Sequence, residues 1–260
     1  MMKLRNKLQV YRVVAISFFM FLVMSAHASE IDTRLSWHQK TVLSTPISGV
    51  IKTVNVSPGA LVNKGDVLLQ LDDRAIRENL EKARADVERW RLLEEEAQRE
   101  LDRTNELYEQ TLIADHEKQL AIIAHAEAQA SHKAATAALV QAELDLEYSA
   151  VRAPYDAVVV KQYAQVGQTI VSRTEVTPLL EVAERGMMSA TVQVSGSTVS
   201  RLKIGAKARV QVGGKVYNGV IEGLGLEPVS AKSSQYEVNV AFPTQGKVLR
   251  AGQSAKVILP

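Results

Sequence analysis

The 260-residue sequence contains no cysteine. That absence excludes disulfides, thiolate metal sites, thiol nucleophiles and a lipid-modified cysteine behind a leader, and it places no obstacle in an oxidising compartment. Aromatic residues make up only 5% of the chain, and 31 Lys and Arg nearly balance 29 Asp and Glu, a formal net charge of +2. No local cluster of charge stands out along the sequence, so no nucleic-acid partner is expected. Phosphate loops, nucleophile elbows and metal triads are absent as well. Asp66, Asp72 and Asp73 read as turn and cap carboxylates, not as a paired acid and base. We therefore expect no catalysis, no cofactor and no resident metal. A 46% hydrophobic composition over this length fits one or two folded domains.

The only strongly apolar run lies near the start. Lys3, Arg5, Lys7 and Arg12 precede Val13 to Met24, and Ala26-His27-Ala28 follows. This pattern reads as a signal peptide over residues 1–28, cut after Ala28. As an anchor the apolar stretch would reach only ~24 Å, short of the ~30 Å bilayer core. The mature chain is expected in the periplasm, with a net charge near −2 once four cations are removed.

Glycine and proline are missing from 73–148, although the chain holds 14 Gly and 7 Pro. Both residues disfavour helix interiors, so this stretch reads as long helices. Ile76, Leu80, Ala83, Val87, Trp90, Ala97, Leu101, Thr104 and Tyr108 recur at spacings of three and four, with Glu94 breaking the stripe. A second stripe alternates Ala121, Ala128, Ala135 and Ala142 with His125, His132, Leu139 and Leu146. Two such helices joined by a short turn form an antiparallel hairpin of ~50 Å, with Asp115 placed to cap the second. The two histidines are two turns apart, ~10.5 Å, which suits seam positions better than one metal.

The flanks of the hairpin repeat one another. Pro46-Ile47-Ser48-Gly49-Val50 matches Pro154-Tyr155-Asp156-Ala157-Val158 at an offset of 108, and Gly59-Ala60-Leu61-Val62 meets Gly167-Gln168-Thr169-Ile170 at the same offset. Leu68-Leu69-Gln70-Leu71 then meets Leu179-Leu180-Glu181-Val182. Three ordered matches imply two half-domains that pair into one small β-sandwich, with the helices inserted between them. Beyond Met187, alternating segments around Ala190–Val194, Ala208–Val212, Lys215–Ile221, Gln235–Phe242 and Ser254–Leu259 read as an antiparallel barrel of five or six strands. Ser197 to Leu202 reads as a short helix capped by Ser197.

The fold class is thus α+β: a split sandwich with an inserted coiled-coil hairpin, plus a small antiparallel β-barrel. We divide the chain into a signal peptide (1–28), a first sandwich half with an N-terminal strand segment (29–72), a hairpin (73–148), a second half (149–183) and a barrel (184–260). The halves resemble those of biotinyl/lipoyl domains. Thr45 to Ile51 with Val56 to Leu68, and Val151 to Ala157 with Ala157 in place of a usual Gly, resemble the periplasmic adaptor, or membrane fusion, proteins of tripartite efflux pumps. Leu249 to Val257 resembles that family's barrel-closing segment, with Ala251 and Gln253 departing from its usual Pro and Met. Lys64 lies in a turn and Lys161 in a strand, so neither has the context of a carrier lysine.

The resemblance implies an adaptor between an inner-membrane transporter and an outer-membrane channel, working as a homo-oligomer. A resistance-nodulation-division pump is the expected transporter ahead of an ABC exporter. The family docks its hairpin tip through Arg, then Leu four residues on, then Ser seven beyond; here those positions are Arg103, Leu107 and Ala114. Leu112, Ile113 and Asp115 join them at the turn as candidate partner-binding residues. A different reading of the tip has Leu107, Leu112 and Ile113 closing the hairpin while Arg103 pairs with Glu100 or Glu106. The alternative function is a periplasmic protein that binds substrate or metal and dimerises through its hairpin.

Overall fold

The structure is a computed structural model that describes residues 30–172 and 176–260. The expected signal peptide and its cleavage site lie outside the described residues. Two compact units emerge, one of residues 39–185 and one formed by residues up to 38 together with 186–260. Among the described residues no helix is long and apolar enough to cross a membrane.

The first unit contains the sandwich and the hairpin. Strands β2 (Lys40–Leu43), β3 (Gly49–Val54), β4 (Leu61–Val62) and β5 (Val67–Leu71) precede the helices, and β6 (Ala150–Arg152), β7 (Ala157–Gln162), β8 (Thr169–Ile170) and β9 (Leu180–Glu184) follow them. They assemble as two four-stranded sheets, β2-β9-β7-β4 and β6-β5-β3-β8. Each sheet takes two strands from each half of the chain, so neither half closes without the other. The internal repeat explains the exchange: β3 lies between β5 and β8 as its counterpart β7 lies between β9 and β4. Apolar residues from both halves, including Ile51, Leu68, Leu69, Leu71, Val159, Leu179, Leu180 and Val182, fill the single core between the sheets. Ala157 is fully buried there. At the equivalent Gly49 a Cβ would sit 3.2 Å from Leu71 Cδ1, so the two halves differ in how much they tolerate at this position.

One polar group sits in the wall of this sandwich. Glu181 is 6% exposed and accepts a 2.5 Å hydrogen bond from the Tyr163 hydroxyl, with Lys40 Nζ at 3.3 Å and Lys161 Nζ at 3.7 Å. The Tyr163 bond, aided by the two ammonium groups, holds the Glu181 carboxyl below its usual range despite opposition from burial. A depressed carboxylate stabilises the fold above its unfolded pKa, and the contribution fades as pH falls through the folded value. Titrating melting temperature below about pH 4.5 should therefore show a fall that is smaller in Glu181→Gln than in the parent. An identical acid profile in the two proteins would show that this carboxylate carries no linkage.

Helices α1 (Arg74–Glu109) and α2 (Asp115–Tyr148) leave the sandwich between β5 and β6. At 1.5 Å per residue they extend roughly 50 Å. The seam residues are buried or half-buried along the whole hairpin, with Leu80, Thr104, Ala135 and Ala142 the most enclosed. Glu94, the break in the first stripe, is accommodated by the opposite helix: its Oε2 lies 2.6 Å from His132 Nδ1. That contact lowers the Glu94 pKa. At the base, Asp73 is buried and accepts hydrogen bonds from Gln70 and Arg77, while Asp72 pairs with Arg74, whose guanidinium draws its carboxyl down to about 2. Thr45 Oγ1 donates to the carbonyl of Tyr148 at 2.9 Å, tying the end of α2 to the sandwich.

The second unit is a closed six-stranded barrel in the order β1-β10-β13-β12-β11-β14. Its strands are β1 (Glu30–Trp37), β10 (Met187–Ser195), β11 (Lys207–Val212), β12 (Lys215–Pro228), β13 (Gln235–Pro243) and β14 (Ser254–Ile258). The N-terminal strand segment, assigned above to the first sandwich half, instead pairs with β10 and β14 and closes this barrel. Leu35 explains the placement, since it is 3% exposed within the barrel core beside Met188, Val257 and Leu259. The short helix α3 spans Gly196–Val199, and its cap is Ser195, which accepts from the Thr198 amide, not Ser197.

Candidate functional site

The described residues hold no cluster of three or more His, Asp or Glu suited to a metal. Of the histidine pair on α2, His132 contacts Glu94 directly, and His125 acts on the same carboxylate through its charge. Grooves exist along the hairpin, such as one of about 430 Å³ lined by Asn79, Asp86, Trp90, Ala134, Ala138 and Gln141, but they carry no convergent reactive groups. The geometry that remains is the hairpin tip.

There α1 ends at Glu109 and α2 begins at Asp115. Thr111 adopts φ +58°, a left-handed conformation that reverses the chain after Gln110. The Thr111 amide donates to Tyr108 O at 2.9 Å and the Leu112 amide to Leu107 O at 3.0 Å, so these two carbonyls of the last turn of α1 are satisfied. Lys118 Nζ rests 4.6 Å from the centre of the Tyr108 ring and clasps the two helices across the turn. Ala114, with φ −81° and ψ 156°, is the N-cap of α2; Asp115, expected to cap it, is instead the first helical residue. Two acidic residues, Asp115 and Glu117, occupy the first turn and complement the helix dipole without a side-chain cap.

Five of the six candidate residues meet at this turn. Leu107 and Ile113 are half-buried, Leu112 is 66% exposed, and Ala114 and Asp115 are exposed. Arg103 lies one helical turn below Leu107, exposed, with its guanidinium 2.6 Å from Glu100 Oε1. The pairing with Glu100 weighed from the sequence is therefore formed, and it raises the Arg103 pKa. Solvent screens an exposed pair of this kind, so it holds Arg103 only weakly. The sequence reading overlooked Leu120, Ile122 and Ile123, exposed apolar residues just beyond the turn on α2. Their signal was present: none belongs to the seam stripe, so the coiled coil does not use them.

Comparisons with known proteins extend this picture. Residues 39–184 match the family described as CzcB-like, barrel-sandwich hybrid domain. The structure is similar to the membrane fusion protein Spr0693 from Streptococcus pneumoniae R6, with a TM-score of 0.69 at 13% identity over 89% of this chain and 98% of that one. It is also similar to a MacA-MexA chimera carrying the Pseudomonas aeruginosa MexA α-hairpin domain, with a TM-score of 0.64 at 20% identity over 89% and 81%. MacA from Actinobacillus actinomycetemcomitans gives 0.60 at 20% identity over 89% and 78%. At these identities the likeness is one of fold, and it covers sandwich, hairpin and barrel together. With more than half of its length matched, the chain belongs to the family of proteins with a CzcB-like barrel-sandwich hybrid domain.

Proposed function

We propose that the protein is a periplasmic adaptor subunit that joins an inner-membrane efflux transporter to an outer-membrane channel in a tripartite export pump. The observation that carries this reading is a sandwich built from two separated chain segments that holds a ~50 Å hairpin with an exposed apolar tip. Such a part transmits position over distance and needs no reactive group. The family match and the shared fold with membrane fusion proteins support it. In this reading Arg103, Leu107, Leu112, Ile113, Ala114 and Asp115 meet the channel: Arg103 donates to carbonyls of a facing helix and Leu112 inserts as an apolar knob. Copies of the chain assemble around the transported path, and the transporter is of the resistance-nodulation-division class rather than an ABC exporter.

Arg103→Asp is expected to abolish efflux-linked resistance while leaving the melting temperature within a degree or two, since ordinary surface changes cost about 0.5 kcal/mol or less. A photo-cross-linker at position 112 should capture an outer-membrane channel in vivo. Full resistance in the Arg103→Asp strain, with no channel captured from position 112, would remove the tip from the mechanism.

A further inference from the structure

The barrel unit carries charge that its linear sequence conceals. Its described residues, 30–38 and 186–260, hold ten Lys and Arg against five Asp and Glu, a net +5, whereas 39–185 holds 17 against 24, a net −7. Strands far apart in sequence gather cations that linear spacing separates. From Gly186 to Ile221 there are five Lys and Arg and no acidic residue. Of the ten barrel cations only Lys256 forms an ion pair, with Glu30 at 3.1 Å.

The antiparallel barrel sends the end of β10, the start of β11, the end of β12 and the start of β13 to one end. The chain crosses to the other unit at His38 and Gly186, beside the end of β1 and the start of β10, at the opposite end. At the first end, Arg201, Lys203 and Lys207 flank an exposed Ile204, and Arg209 follows one outward position along β11. The Gly205 amide bonds Ile221 O at 2.8 Å and the Ile221 amide bonds Ala206 O at 2.9 Å, which pins this loop against β12. Beside it, the β12–β13 ribbon presents Leu226, 94% exposed, and Val229, with Lys232 in its connection. The acidic groups on this side are Glu227 and Glu237 on the ribbon, Glu30, already engaged by Lys256, Asp32, one outward position further along β1 and cross-strand from Lys256, and Glu222, which follows the Ile221 that bonds the loop and lies 3.5 Å from His38 Nδ1.

We propose that this end of the barrel docks on an anionic phospholipid surface, Arg201, Lys203, Lys207 and Arg209 meeting headgroup phosphates while Ile204 and Leu226 enter the interface. Unpaired cations interleaved with solvent-exposed aliphatics on projecting loops match a fluid, negatively charged surface, which offers both counter-charges and apolar depth. The proposal stands apart from the adaptor reading, because it concerns the barrel alone and its test involves neither channel nor resistance.

The test is vesicle co-sedimentation of the chain beginning at Ser29, so that the apolar run at 13–24 contributes nothing. Vesicles of phosphatidylethanolamine with phosphatidylglycerol are compared with vesicles of phosphatidylcholine alone. Binding to the anionic vesicles is expected, falling as salt rises, with far weaker binding to the neutral ones. Each cation near such a surface is worth about fivefold in partitioning, so Lys203→Gln with Lys207→Gln should reduce it about 25-fold. Lys247→Gln with Arg250→Gln removes equal charge at the opposite end and should leave binding within about twofold. Ile204→Ser should weaken binding while preserving the salt dependence. Equal affinity for the two vesicle types, or equal losses in the two double variants, would overturn the proposal. So would vesicle binding untouched by Lys203→Gln with Lys207→Gln when that variant releases a membrane transporter in pull-down, since this end would then be a protein contact.

Discussion

Leu71→Ala is expected to cost the sandwich roughly 3–5 kcal/mol, the range for large-to-small changes at sites that cannot collapse. Leu71 is fully buried in the core shared by both chain halves. Its neighbour on the adjacent strand β3 of the same sheet is Gly49, which has no side chain to move into the void: a Cβ there would already lie 3.2 Å from Leu71 Cδ1. The residue is also the last of β5, its amide bonded to Ser149 O at 2.8 Å just where α2 returns to the sandwich. Loss of packing at this point therefore loosens both the sandwich and the base of the hairpin. The two tryptophans separate the effects, because Trp37 packs against the barrel core and Trp90 sits in the hairpin seam. In a Trp37→Phe background, Leu71→Ala should move the Trp90 unfolding midpoint in urea sharply downward. In a Trp90→Phe background the midpoint seen by Trp37 should move little. A shift below about 1 kcal/mol at Trp90 would mean that the two halves do not share one tightly packed core.

Much of this architecture was legible because it rests on local absences and on repetition. The missing Gly and Pro between 73 and 148 marked α1 and α2, since a helix excludes both residues for steric and entropic reasons. The offset of 108 marked the strand exchange, because equivalent strands in two halves take equivalent neighbours. What escaped reading depended on partners distant in sequence. Glu94 looked like a flaw in the stripe until its register with His132, 38 residues on, became visible. The alternating pattern of Glu30–Trp37 suits either β unit, and only pairing with β10 and β14 assigns it to the barrel. At the tip, composition located the turn, but Ala114 takes the cap position and α2 starts at Asp115, one residue earlier than a cap at Asp115 would place it. The basic end of the barrel was invisible for the same reason, its cations being brought together by strand order and not by spacing.

Gly219→Val is expected to destabilise the barrel by roughly 1–3 kcal/mol through overpacking. Gly219 alternates with Tyr217 and Ile221 as an inward-facing residue of β12. A Cβ at this position would sit 2.8 Å from the carbonyl oxygen of Ala241 and 2.9 Å from Val240 Cγ1, and the first of these is backbone that a rotamer change cannot clear. The glycine leaves room beside the Tyr217 and Phe242 rings, whose centres are 5.4 Å apart and tilted by 48°. A substitution also stiffens the unfolded chain, which favours folding by up to about 1 kcal/mol, too little to offset displacement of β13. Because Phe242 and Val240 belong to the core that Trp37 packs against, the Trp37 signal should unfold at lower urea while the Trp90 transition stays in place. This is the mirror image of the Leu71→Ala result, and together the two variants test whether sandwich and barrel have separate cores. Coincident shifts of both tryptophans in both variants would show a single cooperative unit and would sink that division.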